Sequence, residues 1–168
     1  IVNASALGDP IQLGRGTLKV TDLSSLPDGV SLIGDNEYGT TIIFTTAAGY
    51  LAPGAASTVA NIKFSANVAR TGAMIKIRAN DVTVDQCSFD SYFGGIEVGL
   101  FGTSLPSNPT LTNNTFRDPL VGAGTYAIWL RNFSNAKVEN NLGTGADTGQ
   151  QPDAGDRVHN GDTLTLAD

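Results

Sequence analysis

The sequence predicts an all-β solenoid, in which short parallel strands stack coil upon coil, and three observations predict it. One theme recurs: Val59-Ala60-Asn61-Ile62-Lys63-Phe64, Val84-Asp85-Gln86-Cys87-Ser88-Phe89, Leu111-Thr112-Asn113-Asn114-Thr115-Phe116 and Val138-Glu139-Asn140-Asn141-Leu142. With Leu32-Ile33-Gly34 upstream, the first apolar residue of each copy stands at position 32, 59, 84, 111 and 138, at intervals of 27, 25, 27 and 27 residues. A period of this length marks one supersecondary unit that can bury its apolar face only against the next copy. The second observation is that apolar residues alternate with period two and are mostly β-branched or aromatic. The third is composition: 20 glycines and only 15% charged residues suit a chain of strands and turns better than a helical bundle.

The elements follow in order. Ile1 to Leu13 is weakly patterned, and residues 1–16 are expected to cap the first open end of the core. Thr17-Leu18-Lys19-Val20 alternates, Pro27-Asp28-Gly29 is a turn, and Val30-Ser31-Leu32 alternates again. Gly34 to Gly39 is a second turn, and Thr41-Ile42-Ile43-Phe44 is the next strand. Three short strands within one period make a single triangular coil. Thr45 to Ser57 is irregular and rich in small residues, and its first strand has no clear position.

The clearest coil is Ile75-Lys76-Ile77, Val82-Thr83-Val84 and Cys87-Ser88-Phe89. Ile96-Glu97-Val98, Leu111 and Asn114-Thr115-Phe116 repeat it, followed by Ile128-Trp129-Leu130, Val138 and Asn141-Leu142. Leu111 follows Val98 by thirteen residues, where Val84 follows Ile77 by seven, so Gly99 to Pro109 carries an extra loop. Stacked at ~4.8 Å, about five coils make a rod on the order of 24 Å long. The fold class is therefore a single-stranded right-handed parallel β-helix over residues 1–142. Residues 143–168 are expected as a Gly/Asp-rich tail or assembly segment, with Leu164 and Leu166 in a last strand and His159 in an exposed turn.

The polar residues of the theme have a geometric reading. Asn61, Gln86, Asn113 and Asn140 fall at the bend between two strands, where a left-handed backbone favours Asn or Gly. Ile62, Cys87, Asn114 and Asn141 then open the following strand and point inward. Asn114 over Asn141 is expected to form an amide ladder that satisfies backbone groups at the bend. Cys87, the single cysteine, reads as a small core residue, and its solitude excludes an intrachain disulfide framework.

Several classes are set aside by composition. A net charge of −6 argues against a nucleic-acid partner, and no apolar run is long enough for membrane insertion. Asp147, Asp153, Asp156, Asp162 and Asp168 lack the fixed spacing of a calcium loop, so no metal and no cofactor is expected. The chain starts at Ile1 without a signal-peptide pattern, which suggests a processed product or part of a longer protein.

Ile11-Gln12-Leu13-Gly14-Arg15-Gly16-Thr17-Leu18-Lys19-Val20, followed by Leu26-Pro27-Asp28-Gly29-Val30-Ser31-Leu32-Ile33-Gly34, resembles the opening strands of the pectate-lyase-like β-helix superfamily. That superfamily has a G-T-Y-x-V strand, then L-P-x-G-V-x-L-x-G, then N-C-x-F coils; Leu18 here replaces the usual Tyr. The resemblance covers about Ile11 to Asn141. Short coils, small loops and a Thr/Asn/Gly-rich surface make the chain most similar to bacteriophage tailspike or appendage proteins. The resemblance implies a homotrimer at the virion surface among other virion proteins, binding a host surface polysaccharide and in many cases cleaving it. A secreted β-helix is the alternative location. The catalytic signatures of pectate lyases and polygalacturonases are not found in the sequence.

Alternation across the first strand of each coil turns Lys76, Glu97 and Trp129 outward in one column, with Arg78, Gly99 and Arg131 in the next. An open Trp beside Arg and Glu suits a glycan: the ring packs on a pyranose face while charged groups bond hydroxyls or acidic substituents. Gly99 is expected to leave a notch between the two arginines. The same residue types also suit a trimer interface or a solvated ladder of Lys76 over Glu97. For catalysis, a polysaccharide hydrolase or lyase needs acid–base groups, and Asp90 with Asp118 is the candidate carboxylate pair, on adjacent coils with Arg117 between them. Asp85 and Glu139 share a further outward column around Thr112. The functional reading is thus a glycan-binding appendage, with a depolymerase and a purely structural virion decoration protein as rivals.

Overall fold

Strands of two to five residues are too short to stand alone, and within each sheet every strand but the outermost finds partners in the coils before and after it. The computed structural model describes residues 10–144, apart from 24, 37, 100–104 and 121–124, together with 157–158. In chain order the strands are β1 (Ile11–Gln12), β2 (Gly16–Val20), β3 (Leu32–Ile33), β4 (Thr40–Phe44), β5 (Thr58–Ala60) and β6 (Lys63–Ala66). Next come β7 (Ala73–Ile77), β8 (Thr83–Asp85), β9 (Ser88–Asp90), β10 (Gly94–Val98) and β11 (Thr110–Thr112). The last are β12 (Thr115–Arg117), β13 (Tyr126–Leu130), β14 (Lys137–Glu139), β15 (Leu142–Thr144) and β16 (Arg157–Val158).

They form three sheets, ordered β1-β3-β5-β8-β11-β14, β2-β4-β6-β9-β12-β15 and β7-β10-β13-β16. Every pairing is parallel except β13 with β16. The result is the parallel β-solenoid of about five coils that the repeat predicts. Among the described residues no helix is long and apolar enough to cross a membrane. The third sheet starts late. In the earlier coils its place is held by single bridges, Leu23 to Leu51 and Leu51 to Ile75. Leu51 is therefore the first strand that the irregular stretch Thr45 to Ser57 concealed.

The register is that of the repeat: Leu32, Val59, Val84, Leu111 and Val138 lie directly over one another. Like residues therefore meet inside. Phe64, Phe89 and Phe116 are register partners, and Phe44, two places along β4 from Phe64's partner Ile42, leans over to extend their buried stack; successive centroid distances are 6.4, 5.4 and 4.9 Å, with rings within 16° of parallel. Each such ring contributes roughly 1.5–3 kcal/mol by burial alone. Asn61, Gln86, Asn113 and Asn140 adopt φ of 60°, 50°, 55° and 56°, the left-handed bend expected of them. Gly34 occupies the same column without positive φ; a Cβ there would lie 2.1 Å from the Asn61 carbonyl oxygen. Its glycine serves close approach of the coils.

The sequence reading missed a second column of bends. Gly29, Ala56, Asp81, Asn108 and Asn135 have φ of 73°, 54°, 57°, 53° and 52°, at the same intervals as the apolar theme. Their mixed side chains hid the periodicity.

Asn114 and Asn141 form the expected ladder. Asn141 Oδ1 accepts from both the backbone N–H and the Nδ2 of Asn114, each at 3.0 Å. Asn114 Nδ2 donates to Val84 O at 2.9 Å, its Oδ1 accepts from the Cys87 N–H at 3.0 Å, and Asn141 Nδ2 donates to Leu111 O. Cys87 is buried at the foot of this ladder, as a core residue.

The repeat continues two residues past its expected end, since β15 runs to Thr144. β16 then lies antiparallel along β13, pairing Ile128 with Val158 and Trp129 with Arg157. Pairing of this kind occupies a sheet edge that is otherwise open. His159, Leu164, Leu166 and the acidic residues expected in the tail lie outside the described residues, as does the middle of the loop after Gly99.

Replacing Asn114 with Ala removes the ladder's buried amide and strands the Cys87 N–H. Urea unfolding is expected to show a loss of about 2–4 kcal/mol. Asn113→Gly, which keeps the left-handed bend, is expected to stay within about 0.5 kcal/mol, whereas Asn113→Val loses about 1–2 kcal/mol.

Candidate functional site

The outer face of β7, β10 and β13 follows from alternation. Ile75 and Ile77, Ile96 and Val98, and Ile128 and Leu130 fill the core, all fully buried. Lys76, Glu97 and Trp129 pair in register on the opposite side. Because Val98 pairs with Ile77 and Leu130, Gly99 falls between Arg78 and Arg131 one position further on. Both expected columns are present.

Their contacts differ from expectation in three respects. Gly99 leaves no notch. It adopts φ of 73°, and a Cβ there would stand 2.1 Å from the Asn132 carbonyl oxygen, so the next coil's backbone fills the space. Trp129 is half-buried, and the Arg131 guanidinium lies over its ring at 3.2 Å from the centroid. The ring is thus already covered on the face where a pyranose was expected to stack. Lys76 does not ladder onto Glu97: its ammonium sits over the Tyr50 ring, 4.1 Å from the centroid. Burial lowers the Lys76 pKa, and Glu97 opposes that shift.

Glu97 is the deepest of the five, only 7% exposed. Arg78 Nη2 pairs with its Oε1, and the Tyr126 hydroxyl donates to its Oε2 at 3.2 Å. A carboxylate this buried requires such partners. Tyr126 also meets Trp129 edge to face at 5.0 Å. Its seat is provided by Gly94, where a Cβ would fall 2.5 Å from the tyrosine ring. Sequence reasoning missed Tyr126 because it precedes the Ile-Trp-Leu alternation; the Gly94-Gly95 pair one coil earlier was the available signal. Tyr50 was missed too, for want of the Leu51 bridge beside it.

Behind this face Arg70 is buried at 4% exposure. Its guanidinium donates to Thr46 O at 2.7 Å, Ala73 O at 3.2 Å and Gly49 O, and lies 5.0 Å from the Phe44 ring centroid. Burial lowers its pKa. It ties the irregular segment to β7.

Asp90 and Asp118 lie on a different sheet. Arg117 pairs with Asp90, which sets Asp118 opposite Ser91, both in left-handed bends with φ of 51° and 54°. The two acids therefore share an edge but not a column. Asp90 forms an ion pair with Lys63 and accepts from Ser88 Oγ at 3.4 Å, while Asp118 is exposed. Arg117 reaches the Tyr38 hydroxyl at 3.4 Å.

Asp85, Thr112 and Glu139 stack on the first sheet as expected. Asp85 accepts from Thr112 Oγ1 at 2.6 Å, Asn113 Nδ2 at 2.8 Å and Gln86 Nε2 at 2.9 Å. Burial raises its pKa, but these bonds outweigh burial and hold it below the ordinary 3.8. Among the described residues no three His, Cys, Asp or Glu side chains converge as for a metal ion.

Continuous parallel sheets around a stacked core, with chemistry confined to outer faces, define a β-solenoid. The chain belongs to the family of the right-handed β-helix region, whose model matches residues 17–167. Comparison with curated proteins and with solved structures finds no significant match.

The depressed Asp85 pKa has a definite sign. Its contribution to stability is complete above the ordinary carboxylate value of 3.8 and is lost as pH falls through the lower folded value. Asp85→Asn is expected to lower the denaturation midpoint at neutral pH, and the difference from the parent is expected to narrow at a pH well below 3.8. Parallel thermal scans at both pH values check this.

Proposed function

We propose that this chain is an appendage-type β-helix of the bacteriophage tailspike kind, a homotrimer at the virion surface that holds a host surface polysaccharide. The observation that carries the reading is the outer face of β7, β10 and β13, where Lys76, Glu97 and Trp129 stack with Arg78 and Arg131 beside them. These groups stand on strands in register and are braced by Tyr126 and Tyr50. Binding groups on such a scaffold need no ordering when a ligand arrives. Three strands at the usual spacing span on the order of 10 Å, the reach of about a disaccharide. On this scaffold function resides in grafted surface groups, so the face rather than the fold supports the reading.

Binding without cleavage is the form we favour. The candidate acids Asp90 and Asp118 are on another sheet, and Asp90 is engaged by Lys63. In a depolymerase these two would supply the acid–base chemistry; in a decoration protein the outer face would serve assembly alone.

Purified protein is expected to bind host surface polysaccharide, and Trp129→Ala to weaken that binding at least about tenfold, roughly 1.4 kcal/mol, with trimer mass unchanged. Isothermal calorimetry and light scattering check the two parts. Release of oligosaccharide, lost in Asp90→Asn, would move the reading to a depolymerase. A parent that binds no glycan and falls to monomers on Trp129→Ala would assign the face to subunit contact.

A further inference from the structure

We infer that the polysaccharide held by the β7–β10–β13 face is acidic, and that Lys76 and Arg131 select it. The inference rests on the glycan reading above and adds the chemical class of the ligand.

A neutral sugar is gripped chiefly by laying its C–H face on an open aromatic ring. This face offers little of that kind. The Trp129 ring carries the Arg131 guanidinium at 3.2 Å and meets Tyr126 edge-on at 5.0 Å. The Tyr50 ring carries the Lys76 ammonium at 4.1 Å. In both places a cation stands where a neutral pyranose would have to lie, and the rings act as beds that orient positive charge.

Charge balance points the same way. Among the described residues Lys76, Arg78 and Arg131 stand near two acids: Glu97, committed to Arg78 and the Tyr126 hydroxyl, and Asp22, which acts on Lys76 and accepts from the Tyr50 backbone N–H at 3.1 Å. Among the described residues neither Lys76 nor Arg131 joins an ion pair. The whole chain carries −6, so a locally positive face runs against the sign of the molecule. Lys76 is held partly out of water, which disfavours its charged form, and a bound anion would relieve that cost. The planar guanidinium of Arg131 matches a carboxylate better than a hydroxyl.

The experiment uses polymers that differ only in charge: hyaluronan and alginate, each beside its carboxyl-reduced form, over the immobilised full chain. The acidic forms are expected to bind at least about tenfold more tightly than the reduced forms. That preference is expected to shrink as NaCl rises from about 50 to 500 mM, because exposed charges are screened. Lys76→Gln and Arg131→Gln are each expected to weaken acidic binding about fivefold or more, with Lys76→Arg retaining it. Because Arg131→Gln uncovers the Trp129 ring, it is expected to strengthen binding of the reduced polymers. Equal binding of acidic and reduced forms overturns the acidic assignment and leaves the glycan reading standing. Binding of neither form overturns both, and a change of oligomeric mass in the same variants gives the face to a second copy of this chain.

Discussion

Everything in this molecule depends on the in-register parallel ladder between coils. Each backbone group bonds to its equivalent one period away, so each side chain meets the side chain of the next copy at about 4.8 Å. That rule rewards residues that stack on themselves. Phenylalanines do so in the core, from Phe64 to Phe116. Amides do so at the bend, where Asn141 accepts from Asn114 and donates to Leu111 O, and Asn114 in turn accepts from the Cys87 N–H and donates to Val84 O. Like charges one above another are costly, which accounts for a surface of Thr, Asn and Gly with opposite charges in neighbouring copies. Lys63 with Asp90 and Arg78 with Glu97 are two such pairs.

The ladder also sets where chemistry can be placed. Inward positions are filled, so the outer faces and the bends remain. The bends are consumed by backbone geometry, as the left-handed φ values of Gln86, Asn113 and Asp118 show. What is left is the outward column of each sheet. On β7, β10 and β13 that column is supported from the side by Tyr126 and Tyr50, and from behind by Arg70 and its carbonyl partners. Tyr126 and Arg70 are buried and bonded and Tyr50 is half-buried, the kind of support that a preorganised binding surface requires.

Much of this was legible in the residues themselves. The interval between Val59, Val84, Leu111 and Val138 specifies a coil. Alternation separates Ile96 from Glu97, and the bend residues identify themselves as Asn and Gln. Less legible was anything that a coil borrows from a neighbour out of pattern. Leu51 holds a sheet position through single bridges, a feature too short to show a period. Tyr126 acts through Gly94 on another coil, and the second bend column mixes Gly, Ala, Asp and Asn, so no one residue type marks it.

The sequence by itself determined the coil, its period, which residues face in or out, and the stacking of Lys76, Glu97 and Trp129. Only the tertiary structure decided what those outward groups touch. Glu97 lies buried between Arg78 and Tyr126, Trp129 lies beneath Arg131, Lys76 turns to Tyr50, and backbone takes the space beside Gly99. The physical reason is one of range. Period-two alternation gives a side chain its direction, whereas its partners are set by the reach of long side chains across coils and by loops whose lengths differ from copy to copy.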